Sequence, residues 1–516
     1  MTLLEAYIVM FIASFCSLVM EMTAGRILAP FVGVSLYTWT SIIGVILAGI
    51  SIGAYIGGKL VDRYLQRRIL GILLLLSGVA ALAIIPLTNM VAAYRFPLSL
   101  MWRIFTVTAI IFFIPGCILG TISPVVVRLT LFSLNKAGNV IGKIYAFSTL
   151  GAIIGTFATG FLLISWMGTR NIIFAMGIVL ILTALFSGGL FKRKPAMIVF
   201  LAVCALCLTP LYIAAYRIPL NNRTYYYKES NYYTIKLSKT VGVDHRTPVE
   251  ALVLDHLIHS YVNLANPLDI EYEYERIYGE VLKWMYGRQT AFSSLSIGGG
   301  GYTFPRYMEL SYPKAHIDVV EIDPEITTTV YNYLGLPRNT RIRTFNTDGR
   351  WFVMNCSQKY DVILTDAFND LSIPYHLTTR EFLRQVNGIL NEDGILMSNI
   401  IDNFQKGPFL PSYILTLDEI FGKRNVYLIS TRPDFENVRI STFIVVATKG
   451  NRDMSKFDAW LKDKLHVKAK SVLVSDALMR RLRANPQSVV LTDDYAPVDN
   501  LIAPVFEERF GYNRKQ

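Results

Sequence analysis

Hydrophobic residues in the first 216 positions form long runs with few charges inside them. Each run is near the twenty or so residues that an α-helix needs to cross a bilayer. The first run has no basic segment before it and no small-residue cleavage site, so we expect it to stay attached. The pattern predicts an α-helical transmembrane bundle of about seven spans, near residues 6–30, 36–58, 69–93, 104–127, 145–168, 171–190 and 196–216.

Beyond Tyr216 the pattern changes to short β-rich segments separated by turn residues. The stretches "TYYYKESNYYTIKLSKT" and "PVEALVLDHLIHSYVN" predict a small β-hairpin unit, and the amphipathic "EYEYERIYGEVLKWMYG" predicts a helix after it. From "SSLSI" onward strands and helices alternate, which is typical of a doubly wound, Rossmann-like α/β domain. We therefore expect a multi-pass transmembrane domain at 1–216, a small β-rich unit at 217–275 and an α/β domain at 276–516.

Glycines and acids follow the first four strands of the predicted α/β domain. The loop Gly298, Gly299, Gly300, Gly301 comes after the first strand, where residues without a Cβ let the backbone approach a ligand closely. Glu321 and Asp323 end the second strand, where a carboxylate can accept hydrogen bonds from ribose hydroxyls. Asp348 ends the third strand and Asp366 the fourth. Ligands bind beyond the carboxyl ends of such strands, so the pattern predicts a nucleoside site.

Other interpretations of these residues exist. A glycine loop can be a tight structural turn, and Asp323 or Asp348 can cap the helix that follows it. A dinucleotide would need a third glycine in G-x-G-x-x-G, but Thr303 stands at that position. A nucleoside without a pyrophosphate, such as a sulfonium nucleoside, therefore fits better.

Charge is distributed unevenly along the chain. Residues 1–216 hold 14 Lys and Arg against 3 Asp and Glu, in a chain of formal net charge +12. Bases confined to loops between apolar runs are typical of membrane proteins, so we expect no nucleic acid as a partner. The loops after even-numbered runs hold most of these bases, which puts the N-terminus inside and, after seven spans, the α/β domain outside. Four of the five cysteines lie in apolar runs, so no disulfide framework and no metal site is predicted.

These motifs resemble the spermidine synthase (polyamine aminopropyltransferase) family, in the form fused to an N-terminal membrane domain. The resemblance covers about residues 225–450, and "LTDDYAPVDNL" at 491–501 is similar to the tail of the fused members. "ESNYYTI" and "LVLDHLIHS" resemble the β-hairpin unit of that family, and "ERIYGE" resembles its substrate-binding tyrosine segment. The resemblance implies a class I methyltransferase-like catalytic domain.

By this resemblance, Glu321 would hold the ribose of decarboxylated S-adenosylmethionine and Asp348 its adenine. Asp366 would be the catalytic acid, and Tyr278 and His259 would line the groove for the donor chain and the amine. The donor would be a co-substrate, with no prosthetic group. The chemistry agrees, because a diamine is a cation until a carboxylate orients it and takes its proton.

Two positions depart from the family pattern. The family has an aspartate inside its glycine motif, GGGDG, which engages the aminopropyl end of the donor, whereas this chain has Gly301 there. The family spaces its acids D-x-x-D, whereas Asp366 and Asp370 are four positions apart. Asp370, Asp493 or Asp494 are candidates for the missing carboxylate, and ordinary S-adenosylmethionine is an alternative donor.

The sequence thus favours a membrane-anchored transferase that makes spermidine and 5′-methylthioadenosine from putrescine. One alternative is methyl or aminocarboxypropyl transfer from S-adenosylmethionine. Another is a polyamine transporter or sensor, which Glu21 inside the first run and the carrier-like loop "GGKLVDRYLQRR" favour. The predicted partners are a diamine and the lipid bilayer of the cell membrane, and a homo-oligomer is compatible with them. Because the donor is made in the cytoplasm, we expect the catalytic domain there, in conflict with the charge count.

Overall fold

A computed structural model of the chain describes residues 1–92, 94, 96, 98–131, 137–187, 189, 209, 213, 223–242, 245–255, 257–367, 373–450, 454–463 and 471–510. The chain divides into two compact units. One comprises Met1–Leu220 and Glu229–Asn231, and the other comprises Asn221–Lys228 and Tyr232–Gln516.

The described part of the first unit is helical. Five segments are long and apolar enough to cross a membrane: Leu3–Val32, Leu36–Arg63, Arg67–Val91, Leu100–Thr130 and Ala137–Ser187. The last segment contains α5 (Ala137–Ala158) and α6 (Ile164–Ser187), joined by a π-helical turn at Thr159–Leu163. It is 51 residues long and spans the fifth and sixth predicted runs, with a kink at Gly168, whose φ is 72°. The run at 196–216 lies outside the described residues apart from Thr209 and Ile213, so the count of seven spans stays a prediction.

Small residues bring two of these helices close together. Helix α2 (Leu36–Arg63) carries Gly53, where a Cβ atom would lie 1.9 Å from the carbonyl oxygen of Cys117 in α4 (Leu100–Thr130). A larger side chain at this position would push the backbones apart. The glycines at four-residue spacing in α2 are therefore explained by packing between helices.

The second unit begins with a four-stranded sheet of order β1-β2-β3-β4. Alternating side chains of β2 and β3 are buried in the core of this unit, which explains why these stretches form strands. Strands β2 to β4 pair antiparallel, as the hairpin pattern predicted. The strands span Thr224–Glu229 (β1), Thr234–Val241 (β2), Pro248–Leu254 (β3) and Leu257–Val262 (β4).

The larger sheet has eight strands in the order β12-β10-β11-β9-β8-β5-β6-β7. Strands β5 to β9 run parallel, and β11 lies antiparallel between β9 and β10. The seven strands β5 to β11 have the order that is typical of class I methyltransferase-like domains. The predicted fold class of this unit is therefore confirmed. The strands span Ser293–Ile297 (β5), His316–Val320 (β6), Arg343–Phe345 (β7), Tyr360–Thr365 (β8), Leu390–Asp402 (β9), Val426–Ser430 (β10), Ser441–Thr448 (β11) and Val472–Leu473 (β12).

Helices connect and flank these strands. The first, α7, is amphipathic and buries one face, which includes Tyr278 and Leu282. The helices of this unit are Glu273–Met285 (α7), Thr303–Ser311 (α8), Pro324–Tyr333 (α9), Gly349–Asn355 (α10), Arg380–Ile389 (α11), Phe409–Phe421 (α12), Ser455–Asp463 (α13), Asp476–Arg483 (α14) and Val498–Phe510 (α15).

The register of the parallel strands determines which residues meet at their carboxyl ends. Ile297, the last residue of β5, pairs with Val320 of β6 and with Thr365 of β8. Both neighbours are the last residues of their strands, so the three strands end at one level. The residues that follow them therefore lie side by side at the point where the chain order reverses.

Candidate active site

A cavity of about 780 Å³ lies at this edge of the larger sheet. It is lined by the glycine loop, by acids at the strand ends, and by residues of β4 and α7. Its polar lining includes His259, Ser260, Tyr274, Glu275, Glu321, Asp348, Asp366, His376 and Asn399. The cavity thus brings together parts of the chain that the sequence placed in separate segments.

The glycine loop adopts a backbone that side chains would prevent. Gly298 has φ 101° and Gly300 has φ 48°, in the left-handed region that glycine tolerates best. A Cβ atom on Gly298 would also lie 2.4 Å from the carbonyl oxygen of Asp366. The loop can therefore pass close to the end of β8 only because this position is glycine.

Glu321 fixes the glycine loop from the end of β6. Its side chain is 5% exposed. Its Oε2 accepts hydrogen bonds from the amides of Gly299 (2.8 Å) and Gly300 (3.3 Å), and its Oε1 accepts one from Asp323 (3.0 Å). Burial raises the pKa of this carboxyl, whereas the three backbone donors act to lower it. Each carboxylate oxygen has two lone pairs, so Glu321 can accept further bonds from a ribose.

Two of the other three acids at the strand ends, Asp323 and Asp348, cap helices. The Oδ1 of Asp323 accepts from the amide of Glu325 (2.9 Å) at the start of α9, and the Oδ1 of Asp348 accepts from Trp351 (2.9 Å) at the start of α10. Asp348 also faces the cavity, where its Oδ2 lies 3.1 Å from Nε2 of His376. The helix-cap alternative therefore holds for both residues, and the other oxygen of Asp348 faces the cavity in contact with His376.

Asp366 lies beyond the end of β8 and has both oxygens fixed. Its Oδ2 accepts from the hydroxyl of Tyr274 (2.7 Å), and its Oδ1 accepts from Nδ2 of Asn399 (3.0 Å). Burial raises the pKa of Asp366, and these two donors oppose that rise. The pKa of Tyr274 is well above its usual value, chiefly because of burial and the nearby Asp366 charge, so its phenol stays protonated and donates.

Tyr278 does not line this cavity. It is 1% exposed, its hydroxyl has no hydrogen-bond partner among the described residues, and its ring packs edge-on against Tyr274 and Phe304 at 5.7 and 5.4 Å. Tyr274 lies one helical turn earlier and reaches the cavity instead. The sequence could not separate them, because residues i and i+4 share one helix face. The predicted contact of Tyr278 with a substrate stays a prediction.

His259 and Asp370 complete the residues that the sequence singled out for substrate binding. The His259 ring lines the cavity, and its Nε2 is buried without a hydrogen-bond partner in the described part of the chain. Burial lowers its pKa to about 4, so the imidazole is neutral near pH 7. Asp370 lies in 368–372, outside the described residues. Asp493 pairs with Arg350 at 2.5 Å and accepts from Thr379 (2.7 Å), so its carboxylate fixes the tail segment.

Gly301 has no room for a side chain. A Cβ atom there would lie 2.7 Å from Cβ of Ser260 and 3.0 Å from Cγ2 of Val262, both in β4. The amide of Gly301 donates to Oγ of Ser260 at 2.8 Å. The departure from the GGGDG pattern therefore has a steric cause, because β4 occupies the space that a side chain would need.

Glu275 is a cavity residue that the sequence reasoning missed. It lies in the first turn of α7 and is 5% exposed, and its Oε1 accepts from the hydroxyl of Thr303. Its Oε2 is buried without a hydrogen-bond partner among the described residues. Burial and the nearby Asp366 charge raise its pKa to about 8, although the Thr303 hydroxyl and the backbone amide of Phe304 act in the other direction. The helical periodicity could have indicated this position, because Glu275 lies three residues before Tyr278 and therefore on the same buried face of α7.

The charge of the lining favours a cation. Four carboxylates line the described part of the cavity, whereas Arg432, which also lines it, pairs with Asp434 at 2.6 Å. A positively charged ligand would be attracted by such a lining. No group of three His, Cys, Asp or Glu side chains among the described residues is placed to hold a metal ion.

Comparison with known proteins gives a family for this part of the chain. A family model for the spermine/spermidine synthase domain matches residues 289–451. A polyamine aminopropyltransferase of Vibrio vulnificus is 42% identical over 110 residues, which are 20% of this chain and 36% of that protein. A probable polyamine aminopropyl transferase of Bifidobacterium longum is 30% identical over 224 residues, 41% of this chain and 49% of that protein. The chain thus spans about half or less of the length of these two transferases.

Among solved structures, a probable spermidine synthase from Corynebacterium glutamicum is 19% identical, with a TM-score of 0.44. That match covers 53% of this chain and 97% of the other. The motif-based resemblance is confirmed by the family match and the named relatives. The C-terminal part of this chain therefore contains a spermine/spermidine synthase domain.

Proposed function

We propose that this chain is a membrane-anchored polyamine aminopropyltransferase. It transfers the aminopropyl group of decarboxylated S-adenosylmethionine to putrescine, and the products are spermidine and 5′-methylthioadenosine. The observation that carries the proposal is the position of Asp366, a half-buried carboxylate in the same cavity as the glycine loop and Glu321. A proton acceptor for the amine and a nucleoside-binding edge thereby share one site.

The donor lies with its nucleoside along the strand ends. Glu321 accepts hydrogen bonds from the ribose hydroxyls, and Oδ2 of Asp348, which also contacts His376, accepts one from the adenine amino group. The glycine loop passes beneath the donor, because its residues leave the backbone exposed to a ligand. This arrangement directs the sulfonium toward the Asp366 end of the cavity.

The reaction is a displacement at the carbon next to the sulfonium. Asp366 orients the amine, takes one proton from its ammonium form, and leaves a nitrogen lone pair that attacks this carbon. A C–N bond forms as the C–S bond breaks, and the electron pair of the broken bond stays on sulfur, which becomes a neutral thioether. Tyr274 and Asn399 hold Asp366 in place through their hydrogen bonds.

Turnover by the full-length chain tests this proposal. The protein is incubated with putrescine and with either decarboxylated or ordinary S-adenosylmethionine, and all products are identified by mass. We expect spermidine and 5′-methylthioadenosine from the decarboxylated donor alone, and their loss in Asp366→Asn. Asp393→Asn, an exposed residue of β9 outside the cavity, is the matched control and should keep its activity. S-adenosylhomocysteine or an aminocarboxypropyl product from the ordinary donor would contradict the proposal.

A further inference from the structure

Glu275 has an unused carboxylate oxygen in a cavity that favours cations. Its Oε1 is held by Thr303, and its Oε2 is buried without a partner among the described residues. Removing a carboxylate from water without a partner for its charge is costly. A buried acid at a ligand cavity therefore stays protonated until a cation comes within reach of it.

The position of Glu275 places it beside the glycine loop. Thr303, which holds its Oε1, follows Gly301 by two residues and begins α8. Gly301 itself cannot carry the aspartate of the family pattern, because Ser260 and Val262 of β4 lie against it. Asp493 is engaged by Arg350 and Thr379 and does not line the cavity. Glu275 is therefore the carboxylate with a free oxygen on the loop side of the described cavity.

We propose that Glu275 binds the terminal ammonium of the donor's aminopropyl chain and so selects the decarboxylated donor. This inference rests on the proposed function. Asp366 serves the acceptor amine, because its oxygens are fixed by Tyr274 and Asn399 beyond β8. Ordinary S-adenosylmethionine carries a carboxylate near its ammonium, and that group would be repelled by Glu275 and Asp366.

Binding of an ammonium would change the protonation of Glu275. The titratable groups that interact with its carboxyl are Asp366 beyond β8, and Tyr274 and Tyr278 on α7 itself. His259 of β4 lines the same cavity and is neutral near pH 7. With a pKa of about 8, Glu275 is mostly protonated at pH 7 in the free protein. A bound ammonium favours the ionised form, so donor binding should release about one proton at pH 7.

Dissociation constants for two nucleosides test the inference. Decarboxylated S-adenosylmethionine carries the aminopropyl chain, whereas 5′-methylthioadenosine shares its adenine and ribose but lacks that chain. We expect Glu275→Gln to weaken binding of the donor at least about tenfold, because a hydrogen bond between charged groups is lost. Its affinity for 5′-methylthioadenosine should stay within about twofold of the wild type. Glu273→Gln, on the same helix and paired with Arg276 outside the cavity, should change neither constant.

Calorimetry in buffers of different ionisation enthalpy measures the proton release. We expect about one proton per donor at pH 7 for the wild type and almost none for Glu275→Gln. If Glu275→Gln does not fold, Thr303→Val removes the hydroxyl that holds Oε1 and should weaken donor binding in the same selective way. Equal losses of affinity for both nucleosides, or unchanged donor binding, would overturn the inference while turnover stands. A wild-type protein that binds neither nucleoside would overturn the proposed function with it.

Discussion

Tyr274 and Asn399 hold one oxygen each of Asp366, at 2.7 and 3.0 Å. Two such donors do more than orient the side chain, because they stabilise the ionised form of the carboxylate and oppose the rise in its pKa that burial causes. The pKa of Asp366 therefore depends on both neighbours as well as on its burial. The hydrogen bond from Tyr274 can be removed with little change of shape, because phenylalanine differs from tyrosine by the hydroxyl alone.

Removing the Tyr274 hydroxyl should slow the reaction and shift its pH dependence. The donor bond lowers the pKa of Asp366, so Tyr274→Phe raises that pKa and moves the acidic limb of the kcat profile to higher pH. We expect kcat at pH 7 to fall about tenfold or more, since bonds to charged groups contribute roughly 1.5–3 kcal/mol. Tyr331→Phe, on α9 outside the cavity, is the control and should keep the wild-type profile. An unshifted acidic limb in Tyr274→Phe would contradict the role given to this bond.

Introducing a side chain at position 301 should lower the stability of the protein and its affinity for nucleosides. Gly301→Ala places a Cβ atom 2.7 Å from Cβ of Ser260, so β4 and the loop must move apart. We expect a lower Tm and weaker binding of 5′-methylthioadenosine, and Gly301→Asp should act in the same direction rather than improve donor binding. Gly388→Ala on α11, where a Cβ meets nothing within 4 Å, is the matched control. Tighter donor binding by Gly301→Asp would show that the loop has room for the family aspartate.

At the scale of elements, the glycine loop is held by two side chains, one that follows β6 and one within β4. Glu321 after β6 accepts from two of its amides, and Ser260 of β4 accepts from a third. The loop thus joins the small sheet to the larger one within the second unit. Loss of the Glu321 or the Ser260 side chain should therefore change the conformation of the whole loop.

Neutralising Glu321 tests this arrangement. Glu321→Gln keeps the size of the side chain but removes the charge that attracts the amides of Gly299 and Gly300. We expect donor and 5′-methylthioadenosine to bind about tenfold or more weakly, because both lose ribose contacts and a firmly held loop. Hydrogen exchange of residues 298–301 should also become faster. Selective loss for the donor alone would instead place Glu321 at the aminopropyl chain.

The sequence predicted the elements of the α/β domain better than the details of its site. Buried strands and amphipathic helices carry a periodic signal, so the strand ends and the residues after them, including Glu321 and Asp366, were found from pattern alone. Tyr274 and Glu275 were missed because their roles depend on how α7 packs, which periodicity does not encode. The reason that position 301 has no room for a side chain is Ser260 of β4, which lies about forty positions earlier in the chain.

At the scale of the whole molecule, the chain combines apolar helices with a transferase-like domain. Five described segments are long and apolar enough to cross a membrane, and the matched family covers only residues 289–451. The helices therefore need an explanation of their own, and membrane anchoring is the one we propose. We propose that the second unit lies on the cytoplasmic side, because the proposed donor is made there.

A fluorescent protein fused to the C-terminus tests this orientation in intact cells. We expect fluorescence, because a reporter that folds only in the cytoplasm would then share a compartment with the donor. A second fusion after Gln66, in the short loop between α2 and α3 (Arg67–Ala92) that basic residues flank, reports on the charge rule. Fluorescence from this loop together with a dark C-terminus would contradict a cytoplasmic catalytic domain.

Glu321 bears on the entropy of binding as well as on its strength. The loop amides are bound by a carboxylate of the protein itself, so the loop conformation does not depend on a ligand to order it. A preorganised loop spares the nucleoside the conformational entropy that ordering flexible residues would cost on association. Nucleoside binding should consequently show a small entropic penalty, and Glu321→Gln should enlarge it.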